Sequence, residues 1–341
     1  MDSTPRITIR DVAAQAGVSV ATVSKVINGR YGVAADTSAR VQAVIDDLGY
    51  EASPVAQSLR NHRTNVIGIL VADLEPFSAE LLKGAADAIR GSGFEMVIYS
   101  AGGHAGSHVG WERRYLSRLS GTLIDGAVLV TPTVVDVNYG APIVAIDPHT
   151  GQSGLPTIDS DNLRGGQLAT SHLLGLGHRR IAMIGGRPDL QSSQLREQGY
   201  REALGAAGVA VDDGLIVVGD YEPGVSAQCT RQLLTRADPP TAIFGANDVS
   251  AIAVIEAAAG LGLRVPEDLS VVGFDNITAS AYAPPGLTTF EARARESARE
   301  IAHMLFEVIT KKPAKPLTRL IRPALVARGS HGAAPEDLRD R

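Results

Sequence analysis

Two sets of residues in this 341-residue chain have the types and spacings that do chemistry. The first is a run of small groups, Ser19, Val20, Ala21, Thr22, Ser24, Lys25 and Asn28, which form the outward face of one short helical pattern. That face carries hydroxyls, an amide and one cation, and no carboxylate. It suits a DNA major groove: hydroxyls and N-terminal amides meet phosphates, while Val20, Ala21 and Lys25 reach base edges. The second set falls at the ends of predicted strands far downstream. Asp147 follows Ile143–Ile146, Asn247 and Asp248 follow Ala242–Gly245, and Asp275 and Asn276 follow Ser270–Phe274. Asn162 and Arg196 stand just before helical patterns, and Phe77 and Tyr221 are aromatics in loops after strands. Each alone is an ordinary turn or capping residue. Together, carboxylates and amides bond hydroxyls and an aromatic covers an apolar ring face, so the set fits a polyhydroxylated ligand.

The element that must position the first set is Thr8–Asn28, TIRDVAAQAGVSVATVSKVIN. Ile9, Val12, Ala13 and Ala16 make the apolar stripe of one helix, and Val18, Val23, Val26 and Ile27 the inner face of the next. Thr8 with Asp11 has the form of a capping box, Gly17 suits a left-handed helix end, and Ser19 is a good N-cap. Helices joined this tightly cross steeply, as in a helix-turn-helix. A third helix is predicted over Thr37–Leu48, ending at Gly49. The stretch 51–64, EASPVAQSLRNHRT, has Ser53 as N-cap and Pro54 at the first helical position. It is too short for a stable isolated helix. It reads either as a plain connector or as a segment that folds only with DNA and a second copy present.

From residue 65 onward short β-branched runs alternate with amphipathic helices. Strands are predicted at Val66–Val71, Glu95–Tyr99, Ala127–Val130, Ile143–Ile146, Ile181–Ile184, Ile216–Val218, Ala242–Gly245 and Ser270–Phe274. Helices are predicted at Ala79–Arg90, Gly165–Leu176, Gln198–Ala207, Val225–Leu233 and Val249–Leu261. This alternation implies parallel sheets with crossover helices, and the number of strands implies two doubly wound subdomains. A ligand would sit between them, beyond the carboxyl ends of the strands.

The net charge of −5 argues against a generally basic coat for nucleic acid. Residues 1–64 hold seven Lys/Arg against six acids, so the head is about neutral and the remainder carries the negative charge. Cys229 is the only cysteine and reads as a buried small hydrophobe; one cysteine excludes a disulfide framework within the chain. The start, MDSTPRITIRD, lacks an apolar signal core and no run approaches a membrane span, so a cytoplasmic location is expected. No GxxxxGK, HExxH or GxSxG pattern occurs, and Gly175 with Gly177 reads as a helix end rather than a dinucleotide fingerprint. His104 and His108 lie in a glycine-rich loop without carboxylates at ligand spacing. The expectation is therefore a protein that is not an enzyme and needs no cofactor and no metal.

The residues closely resemble the LacI/GalR family of transcriptional regulators. Besides the opening stretch, the resemblance rests on TSARVQAVIDDLGY (37–50), VAQSLR (55–60), IDGAVLVTP (124–132), HLLGLGHRRIAMIGG (172–186) and REQGYREAL (196–204). It continues through ANDVSAIAVIEAAAGLGLRVPEDLSVVGFDN (246–276), PPGLTTF (284–290) and LVARGS (325–330). These motifs occur in family order from about residue 8 to 330.

The resemblance implies an all-α helix-turn-helix head (1–50), a hinge helix (51–64) and a periplasmic-binding-protein-like α/β effector domain (65–330). Its two subdomains would be 65–162 plus 293–315 and 163–292 plus 316–330, followed by a flexible tail, 331–341. It implies a homodimer reading a pseudo-palindromic operator. Val20, Ala21 and Lys25 would read bases, and Thr8, Ser19, Thr22, Ser24 and Asn28 would lie nearer phosphates. In the hinge, Ala56 would pack on its dimer mate and Leu59 would wedge a minor-groove step. Asp147, Arg196, Asn247 and Asp275 would hydrogen-bond the effector, with Phe77 and Tyr221 as aromatic walls, and the effector would be a sugar or sugar derivative. The family's usual Pro-Asn after the tyrosine is here Ala52-Ser53, Lys25 stands where arginine is frequent, and Ala292 where some members have a ligand-contacting glutamine. The tail has no leucine heptads, which favours a dimer. Two other readings compete: a sugar-binding protein of the periplasmic type, against which the DNA-reading head counts, and an α/β enzyme acting on a sugar, against which the missing catalytic pair counts.

Overall fold

The computed structural model describes residues 7–27, 29, 31–50, 63–102, 110–119, 123–134, 141–148, 155–310 and 318–335. They fall into two compact units that divide between Thr64 and Asn65. Asn28, His104, His108 and the hinge segment with Ala56 and Leu59 lie outside the described residues.

In the first unit, α1 (Ile9–Ala16), α2 (Val20–Ile27) and α3 (Ala35–Leu48) close around Val12, Ala13, Ala16, Val23 and Val41. The Asp11 carboxylate accepts from both the amide and the hydroxyl of Thr8 at 2.7 Å, which fixes the start of α1. The same two bonds hold the Asp11 carboxyl below its ordinary pKa. Gly17 ends α1 at φ 64°, a conformation that costs a residue with a Cβ roughly 1–2 kcal/mol. Ser19 then restarts the chain as a helix, its hydroxyl accepting the Thr22 amide at 3.1 Å.

The second unit holds two six-stranded sheets. The first runs β2 (Glu95–Ser100), β1 (Val66–Val71), β3 (Gly126–Val130), β4 (Ile143–Ile146), β5 (Thr157–Ser160) and β11 (Thr318–Ile321), all parallel. The second runs β7 (Ile216–Val218), β6 (Ile181–Gly185), β8 (Ala242–Gly245), β9 (Ser270–Phe274), β10 (Thr288–Glu291) and β12 (Ala324–Val326). Only the β10–β12 pairing is antiparallel. In the first lobe, α4 (Pro76–Ile89) and α10 (Ala294–Ile309) cover one face and α5 (Trp111–Leu119) the other. In the second, α6 (Asn162–Gly175) and α7 (Gln191–Ala206) cover one face, and α8 (Pro223–Leu234) and α9 (Asp248–Gly260) the other. Strands covered on both faces read as continuous apolar runs, which is why β1, β3, β4, β6, β8 and β9 are plain in the sequence.

The remaining elements depart from expectation where sequence lacks such a run. β5 is TIDS and β10 is TTFE, and each is a strand because sheet neighbours satisfy its backbone. α5, WERRYLSRL, buries only Trp111, Leu116 and Leu119 among its apolar side chains. Placing 316–330 wholly in the second subdomain is corrected: β11 pairs with β5 of the first sheet, and Ile321 enters the first core. The chain then crosses at Arg322–Pro323 before β12 joins β10. Residues 331–335, expected in the flexible tail, are instead fastened to the second lobe. The Gly332 carbonyl lies 3.1 Å from His178 Nε2, and the Ala334 amide donates to Leu176 O at 2.9 Å. Cys229 is half-buried beside the second core rather than fully inside it.

Candidate functional site

The outward face of α2 is as the spacing predicts. Ser19, Val20, Ala21 and Lys25 are exposed, with Thr22 and Ser24 half-buried and Thr8 exposed at the start of α1. The Ser19 and Thr22 hydroxyls also lie 2.9 Å apart, so they cap the helix as well as facing outward.

Within the second unit, a cavity of about 480 Å³ lies at the carboxyl ends of both sheets. Phe77, Asp147, Arg196, Tyr221, Asn247 and Asp275, dispersed over two hundred residues of sequence, all line it. Their anchor is Arg196. It was expected just before a helix, but α7 starts at Gln191, so Arg196 sits in the second turn. There α7 packs backbone to backbone on α6: a Cβ on Gly166 would stand 2.1 Å from the Arg196 carbonyl oxygen. The absence of that Cβ carries the guanidinium into the lobe, where only 7% of the side chain is exposed. Its Nε donates to Asn162 Oδ1 at 2.9 Å, its Nη1 donates to the Ala246 carbonyl, and Nη2 lies 3.6 Å from Asp275 Oδ1. Its plane also lies over the Phe274 ring, 3.9 Å from the centroid.

The carboxylates around this anchor are largely shielded from water, the Asp275 side chain being 8% exposed. Burial pushes the Asp275 carboxyl well above its ordinary pKa, against the pull of Arg196. Asp147 is pushed up in the same way, opposed by the Ser160 amide at 2.7 Å and its hydroxyl at 3.2 Å. Asn247 caps α9, its Oδ1 accepting the Ser250 amide at 2.8 Å. Tyr221 packs its ring on Gly186, where any Cβ would overlap it at 2.0 Å. Positive φ angles recur along this rim without glycine: Thr131, Asp147, Asp220, Tyr221 and Asp275. Strain of about 1–3 kcal/mol at each such residue is characteristic of functional sites.

Three residues of the strand-end set stand apart from the cavity wall. Asp248 turns into the second lobe and accepts from the Ile277 amide at 2.9 Å and from the Ser280 and Thr289 hydroxyls. Burial pushes its carboxyl up to about 6. Asn162 supports Arg196 from behind, and Asn276 accepts from Arg328 at 2.7 Å. Conversely, the wall includes residues that sequence reasoning passed over, notably Trp111, Thr133, Glu75 and Arg187. Trp111 had one available signal: it is the sole tryptophan and opens an otherwise polar segment. Fully buried Glu112 beside it accepts from the amide and hydroxyl of Thr133, tying α5 to the end of β3. Among the described residues, no group of His, Cys, Asp and Glu could hold a metal ion and no helix is long and apolar enough to cross a membrane.

Residues 8–53 match the bacterial regulatory proteins of the lacI family, and residues 170–331 match a periplasmic binding protein-like domain. The HTH-type transcriptional regulator CelR of Thermobifida fusca is 35% identical over 97% of this chain and 100% of its own length. This chain belongs to the LacI family. The HTH-type transcriptional repressor PurR of Yersinia pestis, also 35% identical, covers 96% of this LacI-family chain and 98% of its own length. Two solved structures extend the likeness. A transcriptional regulator CelR–cellobiose complex superposes with TM-score 0.70 at 34% identity, covering 95% of this chain and 100% of that one. The lac repressor dimer bound to operator and the anti-inducer ONPF superposes with TM-score 0.84 at 27% identity, covering 96% and 99%. This LacI-family protein is thus a DNA-binding transcriptional regulator with a helix-turn-helix head and a periplasmic-binding-protein-like domain.

Proposed function

We propose that this regulator represses transcription as a homodimer on a pseudo-palindromic operator, and that a sugar or sugar derivative in the cavity sets its operator affinity. The observation that carries the reading is the convergence of Phe77, Asp147, Arg196, Tyr221, Asn247 and Asp275 on one cavity between two lobes. On the head, Val20, Ala21 and Lys25 read base edges while Thr8, Ser19, Thr22, Ser24 and Asn28 meet phosphates. Effector binding changes the angle between the lobes, and in a dimer that alters the spacing of the two 51–64 segments. Their hinge helices form or melt accordingly, with Ala56 at the dimer contact and Leu59 as the minor-groove wedge. Coupling of this kind needs only about 1–3 kcal/mol of differential affinity between the two states. The cell interior is the place for such a protein, and no chemical step on the effector is part of the reading. The test is binding of the full chain to a fluorescent duplex from its own upstream region at physiological salt. Preference over a scrambled duplex, altered by a sugar, is expected; equal binding to both duplexes with and without sugars ends the repressor reading.

A further inference from the structure

Six carboxylates line the cavity, from Asp73, Glu75, Asp147, Asp220, Glu222 and Asp275, against two guanidiniums, from Arg187 and Arg196. Neither guanidinium is free. Arg196 is committed to Asn162, the Ala246 carbonyl and Asp275. Arg187 is held by both oxygens of Asp189, at 3.1 and 2.6 Å. Among the described residues that line the cavity there is no other lysine or arginine.

The acids come from both lobes. Asp73 and Glu75 follow β1 of the first, and Asp220 and Glu222 follow β7 of the second. The Glu75 carboxyl is held above its ordinary range, first by desolvation at the cleft and then by Asp73 of its own lobe and Glu222 of the other, with Arg187 opposing. A phosphate or carboxylate on the ligand would enter this field with no unpaired cation to meet it, and like charges brought together at an interface cost several kcal/mol. A sugar hydroxyl meets the opposite situation, since each carboxylate oxygen accepts from it. Phe77, Trp111 and Tyr221 supply apolar walls for its ring.

We propose that the effector is an uncharged saccharide and that this cleft rejects phosphorylated and carboxylate-bearing sugars. The inference rests on the sugar reading above. It is tested with the full chain and matched pairs: glucose and glucose 6-phosphate, trehalose and trehalose 6-phosphate, galactose and galacturonate, cellobiose and cellobionate. Trp111, the only tryptophan, lines the cavity and supplies an emission signal beside the melting temperature. At least one uncharged sugar should move both signals, and its anionic partner should bind at least about tenfold more weakly. That gap should narrow at high salt and in the Glu75→Gln and Glu222→Gln variants, because charge sets it. An anionic sugar that binds as tightly as its partner, or a gap indifferent to salt and to both substitutions, overturns the inference and leaves the sugar reading standing. If no saccharide moves either signal, the sugar reading fails and this inference falls with it.

Discussion

The two lobes share one strand order, yet they line the cavity with different chemistry. The second lobe supplies a prearranged polar network: Arg196 and Asn247 are buried, the Asp275 side chain is only 8% exposed, and Arg196 is fixed through Asn162, the Ala246 carbonyl and the Phe274 ring. From the first lobe come aromatic walls, Phe77 and Trp111, and the carboxylates of Asp73, Glu75 and Asp147. Phe77 packs against the apolar cores of both lobes, so it sits where they meet. The difference divides the work of recognition. Hydrogen bonds that discriminate a ligand are held rigid on one side, and the other side contributes area that becomes favourable as the lobes approach.

Substitution of Arg196 by alanine should break the second-lobe half most severely. It strands the buried Asp275 carboxylate and the Asn162 amide, a loss of about 3–5 kcal/mol in urea denaturation. Saccharide binding by calorimetry should vanish with it; a stable variant that still bound sugar would show the network to be ornamental. Next in size is a pH effect confined to the same lobe. Asp248 is pushed up to about 6 from an ordinary 3.8, so the native state holds a proton that the unfolded chain has released. Stability should therefore fall as pH rises from 4.5 to 6.5, and Asp248 should contribute up to roughly 1.4 kcal/mol per pH unit. The Asp248→Asn variant should flatten that slope, and an unchanged slope would assign the proton elsewhere.

On the first lobe, Phe77→Ala should weaken sugar binding about tenfold, some 1.4 kcal/mol, while costing less stability than Arg196→Ala. Equal losses of stability in the two variants would erase the contrast between the lobes. The smallest effect concerns the polar link on the far side of the cavity. Glu80 of α4 accepts from Thr278 of the second lobe at 2.7 Å, and from Lys83 at 2.7 Å and Arg295 at 2.8 Å. Burial pushes this carboxyl up, but those three bonds outweigh it and hold it at about 2. Its contribution is present above its unfolded value near 4.5 and is lost as pH falls toward 2. Glu80→Gln should cost less than about 1 kcal/mol at neutral pH, as expected of partly solvated pairs, and should reduce acid sensitivity. Small-angle scattering should show a slightly larger radius of gyration if the Thr278 bond restrains opening.

The head and the central strands were written locally. In Thr8–Ala16 the capping box, the apolar period and Gly17 all act within one or two helical turns, so the sequence alone placed α1, the restart at Ser19 and the outward face of α2. The strands β1, β3, β4, β6, β8 and β9 declared themselves because both of their faces are covered and must be apolar. The six cavity residues were also legible: Asp147, Asn247 and Asp275 at strand ends, Tyr221 in the loop after β7, Phe77 after β1, and Arg196 through the family motif REQGYREAL. For Phe77 the expected loop is absent, because α4 already begins at Pro76. Tertiary structure decided the rest. TIDS and TTFE carry no strand signal of their own and depend on neighbours already in the sheet. β11 joins the first sheet because β5 offers its free edge there, and residues 331–335 are fastened by His178 and Leu176, which no local pattern announces. Trp111 reaches the cavity only because Glu112 ties its helix to Thr133, and Arg196 turns inward only because Gly166 lets two helices touch. Local propensity sees a few residues along the chain, whereas these contacts join positions separated by twenty to one hundred and sixty residues, and only the packed fold brings them within reach.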